Sequence, residues 1–204
     1  MSTLTRRPAR TTWVALRTMA LLTILLGVVY TLAMTLIGQL LLPAQANGSL
    51  VHDDSGDVVG SALIGQAFSD AAGDPLPEYF QPRPSAAGDG YDGGASSGSN
   101  HGPENEDLIA AIAERRTQVA RFNGVAASSV PADAVTASSS GLDPHISPEY
   151  AAIQVERIAD ARRLSVAEVR DLLEAHTTGP EFGYLGSPTV NVLEMNVALD
   201  SARG

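Results

Sequence analysis

Gly94-Ala95-Ser96-Ser97-Gly98 satisfies the G-x-S-x-G pattern of a serine nucleophile. In hydrolases that serine sits on a strained turn between a buried strand and a helix, exposed to a neighbouring base. Here Ala86 to Gly93 supply no strand, and Pro103 follows shortly. A tract this rich in Gly and Ser produces the pattern by chance, so a serine hydrolase using Ser96 is only the alternative reading. The histidines, His52, His101, His145 and His176, are dispersed, with no H-x-x-H or H-E-x-x-H pair to hold a metal. His176 reads as a helix C-terminal residue, where a partial positive charge is favourable. His145 lies in Gly141-Leu142-Asp143-Pro144-His145-Ile146-Ser147-Pro148. Two prolines there predict a rigid helix entry, with Asp143 accepting bonds from nearby backbone amides rather than binding metal. Arg83 stands between Pro82 and Pro84. Fixed φ on both sides presents its guanidinium for a bidentate partner, either an internal carboxylate or another subunit.

Composition narrows the chemistry further. There is no cysteine and no lysine, all 13 basic residues being arginine. Disulfides, thiolate chemistry, a lysine Schiff base and a Walker-A phosphate loop are therefore excluded. Charge is also sorted along the chain. Thr18 to Leu42 is a 25-residue run without charge; before it stand Arg6, Arg7, Arg10 and Arg17 with no acid. After it, nine arginines face all 23 carboxylates, a net −14. That excess argues against nucleic acid as a partner, because nothing would neutralise phosphates.

An apolar run of this length spans a bilayer as a helix, and arginines at one end only orient it by the positive-inside rule. The chain thus reads as a short basic cytoplasmic N-terminus, Met1–Arg17, a transmembrane helix, Thr18–Leu42, and an extracytoplasmic domain, Pro43–Gly204. Ala44-Gln45-Ala46 would serve as a signal-peptide cleavage site, but a signal h-region is only about 7–15 residues long, so a retained anchor is expected. Within the span Thr23, Gly27, Thr31, Thr35 and Gln39 recur at i+4 spacing. They form one inclined stripe on which a second helix can pack closely. One span makes no pore, so a transport role requires a complex.

The elements of the exported part follow from pattern. Leu50-Val51 and Val58 to Ile64 are strand candidates joined by a turn at Asp53–Asp57. Pro75 to Pro84 holds four prolines and must be extended or turning. Ala86 to Pro103 has linker-like composition, yet Tyr91 and Asn100 point to a defined loop. Asp107 to Phe122 is predicted as a helix with Leu108, Ile109, Ile112, Val119 and Phe122 on its apolar face, ended by Asn123-Gly124. A second helix starts at the Ser147 cap with Pro148 first and runs to about Arg163. Ser165 to Glu168 is a capping box opening a third helix to Ala175. Thr189 to Leu193 reads as a strand and Glu194 to Ala202 as a closing helix. The fold class expected is α+β: a single N-terminal transmembrane helix followed by one mixed α+β domain with long ordered loops.

Several loops match a known pattern. Gly60–Gln66, Tyr79–Ala86, Tyr91 with Ala95–Pro103, Val130–Asp133 with Val135–Ser138, Ser140–Pro148 and Val190–Asp200 together resemble the C subunit of the bacterial Kdp-type potassium-transporting ATPase. The resemblance covers nearly the whole chain, anchor included. His101 stands where an apolar residue is usual, Asp92-Gly93-Gly94 differs from the commoner turn, and Asp70 to Glu78 is slightly long. The resemblance implies a non-catalytic accessory subunit in the bacterial cell membrane, beside a channel-like potassium-translocating subunit and a P-type ATPase subunit that hydrolyses ATP. It also implies a catalytic chaperone that raises the catalytic subunit's affinity for ATP. ATP and potassium then belong to the complex, with no cofactor bound directly by this chain. An outer domain meets cytosolic ATP only through residues before Thr18 or by allostery, so the charge-free run and the absence of lysine speak against a direct nucleotide site. A nucleotide-binding module is a further alternative that runs against this topology. The residues expected at subunit contacts are Gln66, Arg83, Ser85, Tyr91, Ser96, Ser99, Asn100, Asp143 and His145.

Overall fold

The structure is a computed structural model that describes residues Pro8–Ala202. Arg6 and Arg7 of the basic N-terminus lie outside the described residues. Packing divides the chain after Ser49 into two compact units.

The first unit is a long helix. It is continuous over Ala9–Leu41, 33 residues, and long and apolar enough to cross a bilayer. It starts well before the charge-free run, because Arg10 and Arg17 are good helix formers and nothing breaks the chain there. Its middle is wound differently from its ends. Helix α1 (Pro8–Leu22) passes into a π-helical stretch, Thr23–Tyr30, and returns to α geometry in α2 (Thr31–Leu41). In the π stretch hydrogen bonds close over five residues, and the Thr31 hydroxyl reaches the Leu26 carbonyl, five residues back, at 3.4 Å. Residues four apart overshoot a turn of α-helix and undershoot a turn of π-helix. Thr23, Gly27 and Thr31 therefore do not drift as an ideal α-helix would carry them. Leu42 leaves helical geometry (φ −135°, ψ 56°), and a single turn, α3 (Pro43–Ala46), follows where the sequence reads only as a polar exit. Gln39 does not project alone: its side-chain amide pairs with that of Asn47 at 3.1 and 3.5 Å.

The second unit holds two small antiparallel sheets and five helices. Strands β1 (Leu50–His52) and β2 (Val58–Ser61) form the predicted hairpin, with a bulge at Val51/His52 and Gly56 at φ 85° in its turn. Helix α4 (Glu106–Asn123) is capped by the Asn105 side chain on Leu108 N and closed by Gly124 at φ 66°. Its inner face carries Ile112, Val119 and Ala120, while Ile109 is exposed, one position off the expected stripe. Short 3₁₀ turns at Ala127–Ser129 and Ala132–Ala134 lead to β3 (His145–Ile146).

The helix predicted from Ser147 to Arg163 is two helices, α5 (Pro148–Ala152) and α6 (Val155–Arg162). The break falls at Gln154, whose side chain is fully buried and bonded to backbone elsewhere, so it takes a position a continuous helix would not give it. Helix α7 (Val166–Ala175) has the predicted capping box between Ser165 and Glu168. Strands β4 (Thr177–Thr178) and β5 (Thr189–Asn191) complete a sheet of order β3-β5-β4. Helix α8 (Val192–Ser201) starts two residues earlier than predicted, because Asn191 caps the amides of Leu193 and Glu194. Phe80, Ile146, Tyr150, Ile158, Val169, Val190, Met195 and Leu199 make the core between sheet and helices.

Candidate functional site

The proline-bearing segment Pro75–Pro84 organises the site. Its start makes an isolated bridge, Pro75 to Ser69 with Leu76 N on Phe68 O, but beyond that no strand lies beside it, so the backbone groups further on need partners from side chains. Two buried amides supply them. Asn196 accepts from Phe80 N at 2.8 Å and donates to Phe80 O at 3.0 Å. Gln154 does the same for Gln81, at 2.7 and 3.2 Å. Each amide thus substitutes for one residue of a neighbouring strand. Two arginines bind the carbonyls upstream. Arg157 donates to the carbonyls of Pro77 and Tyr79, to Asn123 and to Gln154, with its guanidinium 4.4 Å from the Phe122 ring centre. Burial lowers that guanidinium to about 10. Arg162 donates to Glu78 O, Leu199 O and Asp200, with Tyr79 stacked on it at 4.7 Å. Sequence reading missed all four anchors. Their signal was a polar residue where the helix pattern asks for an apolar one, as at Gln154 between Ile153 and Val155.

Held in this way, the segment delivers Arg83 and Ser85 to a cluster of loops. Arg83 meets an internal carboxylate, Nη1 lying 3.0 Å from Asp143 Oδ2, and also reaches the Thr136 carbonyl. Asp143 Oδ1 accepts from the His145 backbone N–H at 2.9 Å, the expected rigid entry, and the His145 ring lies 3.5 Å away. Burial raises the Asp143 carboxyl, but the His145 bonds and the Arg83 charge outweigh it and leave the group below the usual carboxylate range. Ser85 Oγ donates to Gly141 O at 2.7 Å and accepts from Ala87 N and Tyr91 N. Tyr91, at φ 57°, returns its hydroxyl to the Arg83 carbonyl. Its burial pushes the phenol well up, with Tyr150 and Asp143 adding to the effect. Gly65 and Gly141 are required by contact. A Cβ on Gly65 would stand 2.6 Å from Asp143 O and 2.8 Å from the Tyr91 ring.

Five of the expected contact residues, Arg83, Ser85, Tyr91, Asp143 and His145, are therefore neighbours. Ser96 joins the rim by donating to Ser140 O at 2.9 Å, with the Ser97 amide on the same carbonyl. Ser96 has no strand before it and no helix directly after it, and its hydroxyl is committed to a carbonyl rather than to a base. Ser99 and Asn100 stay exposed on the same loop, Asn100 at φ 55°. Gln66 lies apart, against Gly60, in a cleft of about 390 Å³ shared with Tyr79 and Asp200. His176 closes α7, its Nδ1 2.9 Å from Leu172 O. Among the described residues no three His, Cys, Asp or Glu side chains gather as a metal group. Beside the Arg83 cluster a cleft of about 380 Å³ is lined by Phe68, Arg83, Tyr91, Arg115 and Phe122. Its rim is cross-linked by hydrogen bonds.

Comparison with known proteins decides the family. The family described as KdpC, the K+-transporting ATPase c chain, matches residues 12–201. The chain belongs to the KdpC family. It is 55% identical to a potassium-transporting ATPase KdpC subunit of Kineococcus radiotolerans over 177 residues, 87% of this chain and 86% of that one. It is 51% identical to the protein of that name in Mycobacterium tuberculosis over 187 residues, 91% of this chain and 95% of that one. With the Myxococcus xanthus KdpC subunit it shares 52% over 190 residues, 93% of this chain and 87% of that one. The KdpC match includes both the apolar helix and the loop cluster around Arg83. The one helix among the described residues that is long and apolar enough to cross a bilayer fits a single-pass membrane subunit.

Proposed function

We propose that this chain is a non-catalytic accessory subunit of an ATP-driven potassium uptake complex. The observation that carries the reading is a family match running from residue 12 to residue 201, across helix and domain alike. Its companions on this reading are a channel-like potassium-translocating subunit and a P-type ATPase subunit, so ATP and potassium act at the level of the complex. The charge sorting around Thr18–Leu42 supports a cytoplasmic N-terminus, a single-pass helix in the cell membrane and an extracytoplasmic domain, Pro43–Gly204. The face bearing Thr23, Gly27, Thr31 and Thr35 is the helix-packing surface, and the rim from Arg83 to Asn100 is the outer contact. Any effect on ATP affinity then passes through the membrane as a coupling between subunits.

The test is to express the companion subunits with and without this chain. Potassium-stimulated ATP hydrolysis and subunit recovery in detergent should both fall sharply without it, and the KM for ATP should rise. Full activity in its absence sinks the accessory role. Gly27→Leu with Thr31→Leu should loosen the complex. Alkaline phosphatase fused after Ala202 should be active, and a fluorescent cytoplasmic reporter there instead would refute the topology.

A further inference from the structure

Two clefts of nearly equal size open on the domain, and their charges are opposite. The one of about 390 Å³ is lined by Asp53, Asp54 and Asp200 and by no arginine. The one of about 380 Å³ is lined by Arg83 and Arg115 and by no acid. After Leu42 the chain holds 23 carboxylates against nine arginines, so an acid-free lining is the less expected of the two.

Arg83 is neutralised by Asp143 at 3.0 Å. Arg115 is not neutralised. It is half-buried on α4, and its one hydrogen bond runs from Nη1 to Val135 O at 3.3 Å. Among the described residues no carboxylate lies within ion-pair distance of it. On a helix an arginine meets an acid three or four positions away. Here those positions are Ala111, Ile112, Gln118 and Val119. The adjacent Glu114 is held by Gln118, whose Nε2 donates to its Oε1 at 3.0 Å. The Nε–Nη2 edge of Arg115 therefore keeps two parallel N–H groups open, the fork that a carboxylate fits.

The surroundings narrow the ligand. Phe68, Val119 and Phe122 line the same cleft. Apolar walls lower the local dielectric, so an ion pair is worth more here than on open surface. One unpaired positive charge answers one negative charge, whereas a nucleic acid brings more than this net-negative domain can offset. Arg83, Ser85 and Tyr91 also line the cleft, which makes it continuous with the outer rim.

Resting on the subunit role above, we propose that Arg115 is the recognition residue of this cleft and that its occupant is an aspartate or glutamate side chain of a companion subunit, carried beside an apolar residue that packs on Phe68 and Phe122. Charge complementarity sets the register of docking, and the apolar walls exclude water from the pair.

The experiment uses the complex in native membranes. The chain has no lysine, so Arg115→Lys introduces its only side-chain amine. A water-soluble carbodiimide then joins that amine to a touching carboxylate with no spacer, and mass spectrometry locates the amide. The control is Arg116→Lys, whose side chain is exposed and outside the cleft. Coupling to an acid of a companion subunit from position 115, but not from 116, supports the proposal. Coupling from both alike, coupling only within the chain, or none while the companions co-purify overturns it. Arg115→Leu should weaken assembly by about tenfold or more, with the unfolding midpoint of the isolated chain unchanged. Unchanged assembly in that variant also overturns the proposal. If the companions do not co-purify with the unaltered chain, the subunit role itself fails, which is a distinct result.

Discussion

Asn196→Leu should unlatch the proline-bearing segment from the core. Asn196 is 1% exposed, Phe80 0%, and the Asn196 amide satisfies both backbone groups of Phe80, at 2.8 and 3.0 Å. Leucine fills a similar volume and leaves that N–H and C=O buried without partners. Each costs about 1–3 kcal/mol. The added apolar contact of leucine returns about 1 kcal/mol, so the net loss is about 3 kcal/mol. At roughly 2–4 °C per kcal/mol for a domain of this size, the unfolding midpoint falls by roughly 6–12 °C. The assay is thermal unfolding of the purified chain in detergent, followed by the tyrosine signal in near-UV circular dichroism. Hydrogen exchange should show the Phe80 amide losing most of its protection first. Gln154→Met should be worse, since it also removes an acceptor from Arg157 Nη2. A midpoint within about 2 °C of the parent and an unchanged Phe80 amide would refute the claim that side-chain amides replace a strand here.

Arg162→Met should destabilise by about 2–4 kcal/mol in the same assay, because the carbonyls of Glu78 and Leu199 lose their donor. Asp200→Asn should cost under about 1 kcal/mol, its side chain being 53% exposed and its ion pair largely screened. Asp143→Asn should remove a pH-dependent part of the stability. Folding lowers this carboxyl's pKa, so its contribution is complete above the unfolded carboxylate value of about 3.9 and is lost as pH falls through the lower folded value. The gap between parent and variant melting curves should hold steady from about pH 5 to 8 and close in stronger acid. Gly141→Ala should cost at least about 2 kcal/mol by denaturant titration, since its Cβ would lie 2.6 Å from Ser97 O at φ 69°.

Much of the secondary structure was legible because it rests on neighbours in sequence. The Ser147 and Ser165 caps and the Gly124 and Gly56 turns need only residues a few positions away, and they stand as expected. The long helix was equally plain, but not its π-wound middle, since nothing in Thr23–Tyr30 marks five-residue hydrogen bonds. The Ser147–Arg163 segment was misread as one helix, because Gln154 answers to Gln81, 73 residues away. Within the site, the prolines around Arg83 announced a fixed guanidinium but left its partner open.

Charge sorting, the apolar run and the absence of lysine and cysteine were set by the sequence alone, since each depends only on composition and order. They bound the class of protein and the chemistry it excludes. Tertiary structure decided that Arg83 is paired with Asp143, that Ser96 is tied to a carbonyl, and that Gln39 is engaged by Asn47. It also decided that Phe182 and Tyr184 stand in solvent while Asn196 and Gln154 are buried. The physical reason is common to all of these. Whether a side chain is free or engaged is a property of what folds against it, and a hydrogen bond closes over any sequence distance once the core has brought its partners within 3 Å.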